Sequence, residues 1–154
     1  MTPLTSEQKQ LVRVSFESLE DYSTSVVKLF YGRLFEIEPG VRDLFRVDMG
    51  QQSRKLLDML TTIVKAMDDF EALRPTLEAL GRRHVDYGAK PEHYAALRVA
   101  LIWAMANALE FEFDKETREA WDHLLAMVST AMLDGTKSHP TCGSERSTKN
   151  ILQP

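Results

Sequence analysis

Apolar residues recur every three or four positions along almost the whole chain, and no stretch of useful length alternates in the manner of a strand. That periodicity restricts the fold to packed amphipathic helices, an all-α class. Thr5 with Gln8 has the form of a capping box and starts a first helix toward Leu19. Val26, Val27, Phe30, Tyr31, Leu34 and Phe35 form the next stripe, Pro39-Gly40 breaks it, and Val41 to Phe45 makes a short helical turn. Leu56, Leu57, Leu60, Ile63, Val64 and Met67 form the fourth stripe, and Leu73, Leu77, Leu80 and His84 the fifth. Gly88 and Pro91 mark a boundary, with Pro91 suited to a first helical position. Leu97, Leu101, Met105 and Ala108 share the following helix. Asp114 can cap the last one, whose stripe is Trp121, Leu124, Leu125, Val128 and Met132. The pattern stops at Gly135. Residues 1–137 are expected to form one domain, and the polar segment 138–154, with Pro140 and Pro154, a disordered tail.

A chain of 154 residues suits one domain. At this size about 70% of the unfolded surface can be buried, enough for a core and an internal pocket. A net charge of −4 does not draw the molecule to nucleic acid or anionic lipid. The one cysteine, Cys142, can form no internal disulfide and has no metal-type spacing. Met1 to Gln10 lacks the order of a signal peptide, so a cytoplasmic protein is expected. No apolar run approaches the ~18 residues of a membrane span.

Several catalytic patterns are missing. The glycines fall at 32, 40, 50, 81, 88, 135 and 143, so there is no dinucleotide fingerprint and no phosphate loop. There is no Gly-x-Ser-x-Gly elbow. His93, His123 and His139 lack ligand spacing with one another, and His93 and His123 are expected on solvated faces. Asp68-Asp69 and the run Glu110, Glu112, Asp114 read as solvated turns.

Three residues do not reduce to core or surface. His84 continues a leucine face, where an imidazole is costly unless its nitrogens are satisfied. It is either a core histidine bonded to a backbone carbonyl or a neutral metal ligand. Arg82 and Arg83 just before it form a solvated face or supply a partner for an anionic cofactor group. Gln52 lies one turn before Leu56 on the same face, pointing to water or gating a pocket. Tyr31 sits in an apolar stripe, as core or as a donor inside a cavity.

The stretches LFYGRLFEIEPGVRDLF (29–45), QSRKLLDML (52–60) and LGRRHVDYGAKPEHY (80–94) resemble bacterial single-domain globins and the globin part of flavohaemoglobins. The resemblance runs from about Glu7 to Met132. It implies a globin fold of about seven helices and a haem b cofactor, iron protoporphyrin IX. His84 matches the proximal iron ligand, and Phe45 the phenylalanine that stacks on the haem. Tyr31 matches the distal tyrosine that donates to bound O2. Gln52 matches the distal residue on the fourth helix, Leu56 the apolar residue one turn on, and Tyr94 a tyrosine beside the proximal histidine. Arg83 is the expected partner of an anionic haem group. Phenol and carboxamide donors in a dry pocket stabilise the partial negative charge on O2 better than they would in water.

Two departures from the flavohaemoglobin pattern stand out. The glutamate that bonds the proximal histidine there falls at Ser138 here, and the chain stops where a reductase follows there. The link from Phe45 to Gln52 leaves no room for a separate helix. The resemblance thus implies an O2-binding globin with NO dioxygenase activity, served by a separate reductase. The alternatives are O2 storage, delivery or sensing without turnover, and a haem-free globin-fold interaction module.

Overall fold

The computed structural model describes residues 2–44 and 49–137, and its first helix, α1 (Ser6–Leu19), begins at the expected cap. The Gln8 amide donates to the Thr5 hydroxyl and the Thr5 amide to the Gln8 side chain, each at 3.0 Å. Five further α-helices follow among the described residues: α2 (Ser23–Ile37), α3 (Met49–Lys65), α4 (Phe70–Tyr87), α5 (Pro91–Leu109) and α6 (Lys115–Lys137). The third element of the sequence pattern, the turn after Pro39-Gly40, is a 3-10 turn over Pro39–Leu44 rather than an α-helix. Three shorter 3-10 turns among the described residues join α1 to α2, α3 to α4 and α5 to α6. Helix α3 starts at Met49, so Gln52 lies in its first turn. Phe45 and the segment 138–154, including Ser138, His139 and Cys142, lie outside the described residues.

Local chemistry explains the boundaries. Gly88 ends α4 at φ +101°, a conformation that favours glycine. Pro91 opens α5 where its missing N–H leaves no bond unmade. The Thr117 amide donates to Asp114 at 2.9 Å, capping α6. Helix α6 continues through Gly135 to Lys137, past the point where the apolar stripe ends, because Gly135 is buried against α4. A Cβ at Gly135 would strike the backbone of Glu78, and one at Gly81 the backbone of Met132. The two glycines therefore permit the close crossing of α4 and α6.

Helix α5 runs through the middle of the fold. The stretch Pro91–Glu112 is long and apolar enough to cross a membrane by length and composition. Here Ala100, Leu101, Ala104 and Met105 are buried, and α5 packs against α1, α2 and α6. A helix covered on several sides needs no polar face, which explains its composition. Between α1 and α6, the Trp121 indole donates to the buried Ser15 hydroxyl at 2.8 Å, and that hydroxyl donates to the Leu11 carbonyl at 2.7 Å. His93 and His123, expected on solvated faces, are half-buried. His93 accepts from the Lys90 amide at 3.0 Å, and the His123 ring meets the Thr2 carbonyl at 2.6 Å.

Candidate functional site

His84 reaches the site from the last turn of α4. Its Nδ1 lies 2.8 Å from the carbonyl oxygen of Leu80. A carbonyl can only accept, so Nδ1 carries the proton and Nε2 keeps its lone pair. Burial pushes the imidazole pKa down from 6.5, and the positive charge of Arg83 adds to that against the Leu80 bond. The ring is therefore neutral near pH 7.

His84 borders a cavity of about 370 Å³ between α2, α3, α4, α5 and α6. Aliphatic and aromatic groups make most of the wall, among them Phe30, Ile63, Leu97, Leu101 and Val128. The charged members are Lys55 and Asp58 on α3 and Arg83 on α4. A cavity of this size suits a small cofactor. A neutral imidazole with a free Nε2, apolar walls and cations beside the opening match the needs of haem. His84 and the other described wall residues therefore fit that group.

Two of the remaining candidates share the cavity. Tyr31, buried on α2, lines it, as does Leu56 on α3. The Tyr31 ring stands edge-on to Phe30 at 4.7 Å. Its hydroxyl donates to the main-chain oxygen of Gln52 at 3.5 Å, the outer limit of a hydrogen bond. Burial pushes the phenol well above its usual pKa. The phenol is thus a donor at every ordinary pH.

Gln52 is fully buried rather than pointing to water. Its amide nitrogen and oxygen have no hydrogen-bond partner among the described residues. It sits beside Tyr31 but is not part of the cavity wall. An unpaired buried carboxamide costs about 1–3 kcal/mol.

The two arginines separate. Arg83 lines the cavity, whereas Arg82 turns to α6 and donates to the Gly135 carbonyl at 3.4 Å. Tyr94 lies outside the cavity wall and beside the histidine, with ring centres 6.4 Å apart. Its hydroxyl is buried without a partner among the described residues, and burial pushes its pKa up. No carboxylate bonds to His84 among the described residues, and Ser138 and Phe45 lie outside them.

Sequence reasoning missed Lys55 and Tyr87. Both line the cavity, with the Tyr87 ring 6.0 Å from His84. Burial pushes the Tyr87 phenol up to about 12 against the influence of Arg83. Each is one helical turn from a residue already singled out, Lys55 from Gln52 and Tyr87 from His84. That spacing was the available signal.

The chain was compared with known proteins. The globin family model matches residues 28–132. Neuroglobin of Tetraodon nigroviridis is 26% identical over 149 residues, covering 88% of this chain and 94% of that protein. A flavohemoprotein of Halalkalibacterium halodurans is 24% identical over 137 residues, covering 87% of this chain. The chain spans 33% of that relative's length. Among solved structures, a bacterial globin from Campylobacter jejuni superposes with a TM-score of 0.75 at 25% identity, covering 87% of this chain and 97% of that one. A nitric oxide dioxygenase candidate from Rhodothermus marinus, engineered into a carbene transferase, shares the fold with a TM-score of 0.76 at 23% identity, covering 88% and 95%. The family implies haem binding and small gaseous ligands. This chain belongs to the globin family.

Proposed function

We propose that the protein binds haem b through His84, takes up O2 reversibly, and removes NO by dioxygenation in the cytoplasm. The net reaction joins NO and O2 with one electron to give nitrate. Bound haem would supply the iron at which the gas is held and the electron exchanged. The observation that carries this reading is the His84–Leu80 bond, which leaves a neutral Nε2 at an apolar cavity bordered by a buried phenol.

The chain's own groups have separable tasks. The Leu80 carbonyl orients the imidazole and raises its basicity. Arg83 and Lys55 would pair with the anionic edge of the cofactor. Leu56, Phe30 and Ile63 exclude water, and Phe45 would stack on the cofactor face as the resemblance implies. Tyr31 and Gln52 would donate to negative charge that develops on the gas. Fixed donors in a dry site do this without reorganisation. Tyr94 would hold the histidine ring in place. The electron would come from a separate reductase.

Titration of the purified protein with haemin tests the assignment. A strong Soret band saturating at about one haem per chain is expected, as a single ligating histidine requires. Normal haem content in His84→Ala would overturn the assignment. Very slow O2 release from the reduced holoprotein supports NO chemistry, whereas rapid release favours storage or delivery.

A further inference from the structure

A second cavity, of about 220 Å³, opens between α1, α2, α3 and α5, beside the 3-10 turn Glu20–Tyr22 that joins α1 to α2. Phe16, Leu19, Val26, Leu57 and Met105 make much of its wall. Its polar wall residues are Glu20, Ser23 and Thr61, of which Glu20 carries charge. Glu20 is exposed, while Ser23 and Thr61 are half-buried. The Thr61 hydroxyl donates its proton to the Leu57 carbonyl at 2.9 Å, so toward any other group its oxygen can only accept. Glu17 and Asp21, both exposed, flank Glu20, and no Lys or Arg occurs between Val14 and Val27. Lys65, exposed one turn beyond Thr61 on α3, is not part of the wall.

We propose that this cavity binds a small arylalkylammonium ion, with its ring among the apolar side chains and its ammonium group at Glu20. The site is independent of the haem-binding reading of the His84 cavity.

Each part of the ligand answers a feature of the wall. An apolar cavity of about 150 Å³ in another protein takes up benzene. The present cavity is larger and has room for a ring with a short chain. Phe16 and Met105 favour an aromatic ring over a plain aliphatic group, through edge contacts and sulfur–ring contacts. An ammonium group carries three donors and no acceptor, and the oxygens of Glu20, Ser23 and Thr61 can all accept. A carboxylate in the same place would meet the like charge of Glu20, with Glu17 and Asp21 adding to the repulsion. An exposed ion pair adds little to affinity. The apolar walls therefore supply most of the binding, and Glu20 selects the head group.

An NMR titration that follows the Met105 methyl group tests the proposal, because Met105 lines this cavity and not the one at His84. The purified protein is reduced under carbon monoxide so that any iron is capped. The probes are phenethylammonium, propylbenzene and hydrocinnamate, alike in size and different in head group. Phenethylammonium should bind about three- to fivefold more tightly than propylbenzene at low salt, and hydrocinnamate should bind most weakly. The advantage should fade as salt is raised. Glu20→Gln should remove it and leave propylbenzene binding unchanged. Leu57→Trp fills this cavity alone and should abolish the binding of both. If Leu57→Trp loses its helical circular dichroism, Leu57→Phe replaces it, and Glu20→Gln, an exposed change, is read independently. Equal affinity for phenethylammonium and propylbenzene overturns the ammonium assignment. No shift of the Met105 methyl with any probe, or full binding in the filled variant, overturns the site.

Discussion

The Nδ1 of His84 is tied to the carbonyl of Leu80 at 2.8 Å, one turn earlier on the same helix. This bond fixes which nitrogen is free, so removing the ring removes a ligand and leaves a space of its own shape. His84→Ala is expected to lose stable haem binding, and added imidazole should restore the Soret band by occupying that space. His93→Ala and His123→Ala should keep the band, because those rings are engaged by Lys90 and Thr2. Full haem content in His84→Ala without imidazole is the contrary outcome.

Gln52 carries an opposite signature for stability and for function. Its carboxamide is buried without a partner among the described residues. Gln52→Leu should therefore stabilise the haem-free protein by up to about 1–3 kcal/mol, read by urea unfolding. The same change should speed O2 release from the holoprotein. Tyr31→Phe removes a bond to a partly charged acceptor worth about 1.5–3 kcal/mol, and should speed release by about ten- to a hundredfold. Unchanged O2 release in both variants would show that neither side chain holds the gas.

The crossing of α4 and α6 depends on two positions without side chains. Gly81→Ala places a methyl against the Met132 backbone, and Gly135→Ala against that of Glu78. Backbone cannot swing aside as a flexible side chain can, so the helices must separate. Each variant should lose at least about 1–3 kcal/mol by chemical unfolding, the usual range for overpacking. His84 lies three residues beyond Gly81, so Gly81→Ala should also weaken haem retention. A stability equal to that of the parent in both variants would refute the tight crossing.

How far the sequence revealed all this depends on the range of each interaction. The Thr5–Gln8 box, the Gly88 stop, the Pro91 start and the Asp114 cap are complete within a few residues, and each is found where expected. The imidazole on the leucine face of α4 stood out for the same reason. Gln52 was open between water and pocket, because helical period fixes a face but not what covers it. The Ser15–Trp121 bond spans 106 positions, and the Gly81 and Gly135 contacts join separate helices. Such pairings leave no local pattern.

The cap of α6 gives a pH test. Hydrogen bonds from Thr117 hold the Asp114 carboxyl below its ordinary pKa of 3.8. The folded form therefore takes up the proton less readily than the unfolded form. The stabilisation is present in full above the unfolded value and is lost as pH falls through the lower folded value. Asp114→Ala should lower Tm at neutral pH, and its gap from the parent should narrow as pH drops below 3.8. A gap that stays constant into that acid range would mean that the charge and its bonds contribute nothing.

Dioxygenation of NO consumes one electron per turnover, which in the proposed reading comes from a separate reductase. Forming a dinucleotide site requires closely spaced glycines after a strand, whereas this chain's glycines are scattered and its described residues contain no strand. The reduced holoprotein charged with O2 should therefore consume about one equivalent of NO per haem, a stoichiometry set by one ligating histidine. It should then stop, and resume when a reductase and its nicotinamide substrate are added. An NO electrode with nitrate analysis reads both phases. Sustained consumption with NADH and this protein alone would contradict the need for a separate reductase. No consumption at all would contradict the dioxygenase reading and leave a globin that only binds O2.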